Sequence, residues 1–150
     1  MRWIKCTLIM LSLAINANVQ GNVQGGWLIV VKADAEIEQL SKKQVISLFL
    51  GRTKFLPSGE KAQALDFPIE SPKRASFYHA LTGKNIADID AYWARLKYSG
   101  KASPPTPIDS DEQIIALVSS LSAAIAYLPL ERENELQQMG LKTVLSMSAK

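Results

Sequence analysis

Apolar and polar positions fall along this chain in short blocks whose spacing predicts alternating strands and helices. Residues 27–32 (WLIVVK) form a continuous apolar run, the pattern of a strand buried on both faces. Leu40 precedes Ser41-Lys42-Lys43-Gln44, a capping box: the serine oxygen accepts an amide proton three residues on, and the glutamine side chain reaches back. Val45, Leu48 and Phe49 then make an apolar face, and Gly51 closes the helix. Pro57-Ser58-Gly59 marks a turn, and residues 62–67 read as a strand. A second helix starts at Ser71, with Pro72 at its first position, where a missing amide proton is harmless. Its apolar positions are Ala75, Phe77, Tyr78 and Leu81, and Gly83 ends it. In residues 86–98, Ile86, Ile89, Trp93 and Leu96 share one face of a third helix. Residues 100–108 hold three prolines and predict an irregular loop. Ser110-Asp111-Glu112-Gln113 is a second capping box, opening a helix through Leu117 and Val118. Residues 123–128 and 141–145 complete the strands. Strands separated by helices predict one α/β domain over residues 27–150.

The first residues have a different character. Arg2 and Lys5 precede a ten-residue run, 6–15, broken only by Thr7 and Ser12, and small or polar residues follow at Asn16, Ala17 and Asn18. That order is the layout of a secretory signal peptide. A membrane-spanning helix needs about 17–25 apolar residues, so this run is too short to remain as an anchor. Cleavage is expected after Ala17, with Gly21 as the second site because NVQG occurs twice in succession. Residues 18–26 then form a loose polar leader, and the domain works in the periplasm or outside the cell, without stable membrane insertion. A buried N-terminal helix is the plainer alternative for the apolar run.

Removing that leader changes the charge and the chemistry. The formal charge is +3, but of 17 Lys and Arg residues Arg2 and Lys5 leave with the signal, so 15 face 14 acidic residues. Such a balance gives no reason to expect nucleic acid as a partner. Cys6, the single cysteine, leaves too, which removes disulfide and thiolate chemistry. A metal centre or catalytic triad needs several ligating or titrating side chains together, and His79 stands alone. It reads as an ordinary helix residue. Tyr92 and Trp93 could stack on a ligand, but Trp93 belongs to an apolar stripe and reads as core. No glycine-rich nucleotide loop is present. These residues predict a non-enzymatic protein with no cofactor and no metal.

The helix starts say more. A first helical turn has free amide protons and a partial positive charge, and so can hold an anion. At Ser110 the following Asp111 and Glu112, with Asp109 nearby, already supply negative charge and read as a solvated start. Ser41 is followed by Lys42 and Lys43, and Ser71 by Pro72, Lys73 and Arg74. Cations in a first turn oppose the helix dipole and call for an explanation. A hydroxyl, free amides, an ammonium and a guanidinium at Ser71, Lys73 and Arg74, with Ser41 as a further candidate, could clamp a phosphate-like oxyanion. Two exposed basic residues beside Glu70 are the plain alternative.

Taken together, Leu40-Ser41-x-x-Gln44-Val45-x-x-Leu48-Phe49-Leu50-Gly51-Arg52-Thr53-Lys54, then Ser58-Gly59, then Ser71-x-x-Arg74-x-x-Phe77, then Ala123-Ala124-Ile125-Ala126-Tyr127-Leu128 resemble the phosphate-type substrate-binding proteins of bacterial ABC transporters. That family has a leucine–serine helix start running to isoleucine–phenylalanine–x–glycine–lysine. It also has a serine–glycine–threonine helix start followed by arginine and phenylalanine, and a glycine–x–isoleucine–glycine–tyrosine strand. The likeness spans roughly residues 27–145. It implies a single periplasmic-binding-protein-like lobe, a mixed sheet flanked by helices, from a family whose complete members close two lobes over an oxyanion. It also implies a small oxyanion such as phosphate as ligand and a transporter or other envelope protein as partner. Ser71 and Arg74 match positions that contact phosphate in the family. Pro72 and Lys73 replace a glycine and a threonine there, and Asp66-Phe67 stands where another arginine is usual. The rival expectation is an envelope protein-interaction module that no longer binds a ligand.

Overall fold

The computed structural model describes residues 25–148. The expected signal peptide, both cleavage sites and most of the leader lie outside the described residues. Strand β1 (Gly26–Lys32) takes in Gly26, one residue of the expected leader. Gly26 has φ +135°, and a Cβ there would sit 2.2 Å from the Met147 carbonyl oxygen of the neighbouring strand, so the strand can begin here only with glycine.

The elements that follow β1 are α1 (Lys42–Phe49), β2 (Gln63–Asp66), α2 (Pro72–Thr82), α3 (Ile86–Tyr98) and β3 (Thr106–Pro107). After them come α4 (Asp111–Ser120), β4 (Ala124–Pro129), a 3-10 turn at Leu130–Arg132, α5 (Glu133–Leu136) and β5 (Leu141–Ser148). The sheet runs β3-β2-β4-β1-β5. β1 lies antiparallel to both β4 and β5, whereas β2 runs parallel to β3 and β4, so the sheet is mixed.

The apolar runs explain which strands are central. β4 is buried throughout and β1 throughout except Lys32, and they pair with each other in the middle of the sheet. Trp27 of β1 and Tyr127 of β4 sit on the face covered by α1 and α2: Phe77 stacks on Tyr127 at 3.5 Å, and Trp27 and Phe49 meet both rings edge-on. α4, through Ile114, Ile115 and Val118, packs against β1, β4 and β5 and covers the opposite face. Among the described residues no helix is long and apolar enough to cross a membrane.

Local signals place the helices. Ser41 and Gln44 form both halves of the expected capping box, and Val45, Leu48 and Phe49 are buried as their spacing requires. At Ser110 only half of the box forms: its hydroxyl accepts from the Gln113 amide, with no return bond from the Gln113 side chain. Gly83 ends α2 in the left-handed conformation. Residues 100–108 are irregular, as expected, except for the two-residue β3. It is an edge strand, where the missing amide of Pro107 leaves no ladder bond unmade. The turn at 130–132 and α5 have no counterpart in the sequence reading. They form where Leu136 inserts into the core.

Candidate oxyanion site

The residues expected to hold an anion lie where β2 ends and α2 begins. β2 is edged by β3 and β4, and its last residue is Asp66. A short turn follows, in which the Ser71 amide donates to the Pro68 carbonyl at 2.9 Å, and α2 starts at Pro72. Ser71 occupies the N-cap with extended backbone, yet its side chain makes no capping bond. With Pro72 carrying no amide proton, Lys73 and Arg74 are the first residues of α2 whose amides lack an intrahelical acceptor.

The two cations are already engaged. The Lys73 ammonium donates to Asp111 Oδ1 at 2.6 Å and lies 5.1 Å from the centre of the Phe67 ring. Arg74 is 6% exposed. Its Nε donates to Asp66 Oδ2 at 3.1 Å and a terminal nitrogen to Asp90 Oδ1 at 2.7 Å, with the Tyr78 ring alongside. Burial works against the guanidinium charge, but the hydrogen bond to Asp90 and the charge of Asp66 outweigh it and hold the Arg74 pKa above its ordinary value.

Asp66 is the centre of this network. Its Oδ1 accepts from the Phe67 amide at 2.7 Å and from the Tyr127 hydroxyl, and its Oδ2 accepts from Tyr78 at 3.0 Å and from Arg74. Four donors therefore surround one carboxylate that is 4% exposed. Burial pushes its pKa up, and this outweighs the lowering by Tyr127, Arg74, Tyr78 and the Phe67 amide. Burial, then the charge of Asp66, pushes the Tyr78 and Tyr127 hydroxyls well above the usual tyrosine value. In chemical terms the carboxylate sits against the guanidinium as an internal counter-anion.

Ser71, Lys73 and Arg74 are thus together at one end of α2, whereas Ser41 is elsewhere. Lys42, next to it, donates to the Ala80 carbonyl near the opposite end of α2. Eleven helical residues span about 16 Å, which separates the two serines. The Ser41 hydroxyl is committed to Gln44. Asp111, expected as part of a solvated helix start, is instead only 11% exposed at its side chain and is bridged to Lys73 and Arg132. His79 is exposed on α2, and Tyr92 donates to the Leu50 carbonyl at 2.6 Å. Among the described residues no three His, Cys, Asp or Glu side chains gather in a group able to hold a metal ion.

The sequence reading missed Asp66, Tyr78, Asp90 and Tyr127 as parts of this site. A signal for the inward turn of Arg74 was present: Arg74, Phe77, Tyr78 and Leu81 stand at i, i+3, i+4 and i+7, so the arginine lies on the buried stripe. A carboxylate at the end of the apolar run of β2 was the second signal, since a buried charge requires a partner.

No protein-family model and no curated protein matches the sequence. Solved structures do match. An ABC-type phosphate transport receptor from Vibrio cholerae superposes with a TM-score of 0.60 at 15% identity, over 80% of this chain and 45% of that one. PstS from Borrelia burgdorferi gives 0.61 at 12% identity, over 80% and 46%. A possible phosphate binding protein from Planctomyces limnophilus gives 0.59 at 16%, over 80% and 40%. The fold is periplasmic-binding-protein-like, a mixed five-stranded sheet flanked by helices. The chain spans less than half the length of these three proteins, and at such identities the likeness speaks for architecture alone.

Proposed function

We propose that the chain is an exported, non-enzymatic solute-binding lobe that takes up a small oxyanion such as phosphate, serving an ABC transporter or another envelope protein. The observation that carries this reading is the start of α2 on a periplasmic-binding-protein lobe, where the Ser71 hydroxyl has no capping bond. Ser71, the first free amides of α2 and Lys73 supply donors; Arg74 stands behind them as a brace held by Asp66 and Asp90. Such a site is weak. If a complete two-lobed site bound at micromolar strength, about −8 kcal/mol, half of that energy corresponds to roughly millimolar affinity. An arriving anion also meets Asp66, Asp90 and Asp111, which already balance both cations.

The second reading, an envelope protein-interaction module in which no ligand is needed, would rest on that internal balance. Ile69, 59% exposed two residues before Ser71, would be part of the docking face. Calorimetric titration with phosphate separates the two. Binding no tighter than about 0.1–1 mM, weakened by salt and lost in Ser71→Ala/Lys73→Gln, is the expected result. No binding by the folded protein at tens of times that range would leave only the interaction module. Tight, salt-resistant binding by a monomer would overturn the one-lobe argument, and tight binding by a dimer would show a second copy completing the site. Arg74→Ala is not a usable probe here, because it strands a buried carboxylate.

A further inference from the structure

A different part of the molecule carries an unbalanced charge. A groove of about 500 Å³ runs between the loop pairing around residues 54–61 and the end of α3 with its proline-rich continuation. Leu48, Gly51 and Trp93 contribute to its apolar lining. Two lysines come from each side: Lys54 and Lys61 from one, Lys97 and Lys101 from the other. Phe55 and Lys61 pair as an antiparallel bridge, which holds the two segments carrying Lys54 and Lys61 against each other, and the turn at Gly100 folds Lys101 back on the last turn of α3. None of these four ammonium groups makes an ion pair or hydrogen bond among the described residues.

The segments that form the groove, 48–54, 61–64 and 93–106, contain no Asp or Glu, and they add Arg52 and Arg95 to the four lysines. Glu60, the acidic residue nearest in sequence, is held by Ser122 and lines a different groove with Lys32 and Asp34. Lys97 alone could be explained by the favourable place of a cation in a last helical turn. That reason does not extend to Lys54, Lys61 or Lys101, which lie outside any helix. A chain whose charges nearly balance overall has thus gathered cations about one concavity and kept carboxylates out of it.

We propose that this groove binds a linear oligophosphate of three or more phosphoryl groups, independently of the site at Ser71. Lysine pairs on two sides suit a chain of charges lying between them, and a single phosphate would fill a small part of the volume. Ammonium groups bind phosphate as point charges and need no fixed fork. Trp93 is the aromatic residue of the lining and is 5% exposed; Tyr98, 97% exposed beside Lys97, and Phe55, 58% exposed beside Lys54, lie outside it, so an oligonucleotide is the competitor to test. Gln63 and Ser103, also in the lining, add neutral hydrogen-bonding groups.

The test is calorimetry on the whole chain with inorganic tripolyphosphate, orthophosphate and a short oligothymidylate of matched charge, at low and high salt. Tripolyphosphate should bind one per chain, more tightly than orthophosphate, and weaken as salt rises. Lys54→Gln/Lys61→Gln and Lys97→Gln/Lys101→Gln should each weaken it by about five- to tenfold, while the charge-matched control Lys43→Gln/Lys84→Gln stays within about twofold. Circular dichroism of each variant confirms that the fold is kept. Absence of tripolyphosphate binding, equal loss in the control, or tighter binding of the oligothymidylate would overturn the proposal. The orthophosphate arm reports separately on the site at α2.

Discussion

Replacing Tyr127 by Phe removes one hydroxyl from the centre of the protein and leaves everything else in place. The ring keeps its stack on Phe77 at 3.5 Å and its edge contacts with Trp27, Phe49 and Phe67. What disappears is one of the four donors to Asp66, and a long 3.5 Å bond that the hydroxyl accepts from the Phe67 amide, which keeps its bond to Asp66. A hydrogen bond to a charged group is worth about 1.5–3 kcal/mol, and three donors remain, so a loss near 1.5–2 kcal/mol is expected. For a domain of this size that lowers Tm by roughly 6 °C. The loss should depend on pH. Burial holds the Asp66 pKa above the ordinary aspartate value, and the Tyr127 bond is the largest influence opposing it. The bond favours the ionised carboxylate, so the difference between the two proteins is full above the raised Asp66 pKa. It shrinks as pH falls through the raised Asp66 pKa. Asp66 itself runs opposite to a salt-bridged surface carboxylate: with its folded pKa raised, its contribution to stability is present at low pH and fades as pH rises through that value. Urea unfolding of both proteins at neutral pH, and at the lowest pH where both stay folded, measures the difference. No loss at neutral pH, or the same loss at both, would refute the placement of an ionised Asp66 at the centre.

Three further outcomes follow from the same geometry. Ser41→Ala should destabilise the domain by about 0.5–2 kcal/mol, read by urea unfolding, because both halves of the α1 capping box depend on that residue. Gly51→Ala should cost about 1–3 kcal/mol in the same assay: φ is +64° there, and a Cβ would lie 2.8 Å from the Trp93 ring. Unchanged stability in either variant would show that the residue does not hold α1 and its exit as described. Intact mass of the protein recovered from cells should show an N-terminus at Asn18, or at Asn22 if the second site is used, and retention of Met1 would contradict export.

The sequence by itself determined those features whose causes act within a few residues. Ser41 and Gln44 are three apart, so the start of α1 could be read directly. Pro72 and Gly83 delimit α2 through backbone geometry that belongs to each residue alone. The uninterrupted apolar runs of β1 and β4 required burial on two faces, which places them inside the sheet. The tertiary structure decided whatever depends on which elements meet. β3 exists only because a proline-rich segment lies along β2, and no local propensity favours a strand there. Arg74 is the clearest case. Beside Ser71 and Lys73 it reads as a cation awaiting an anion, but its partners come from β2, eight residues earlier, and from α3, sixteen later. Helical spacing fixes the side of α2 that carries Arg74. Only the packing of α2 against α3 and the sheet determines that this side meets carboxylates, because electrostatic partners within a fold are chosen by proximity in space.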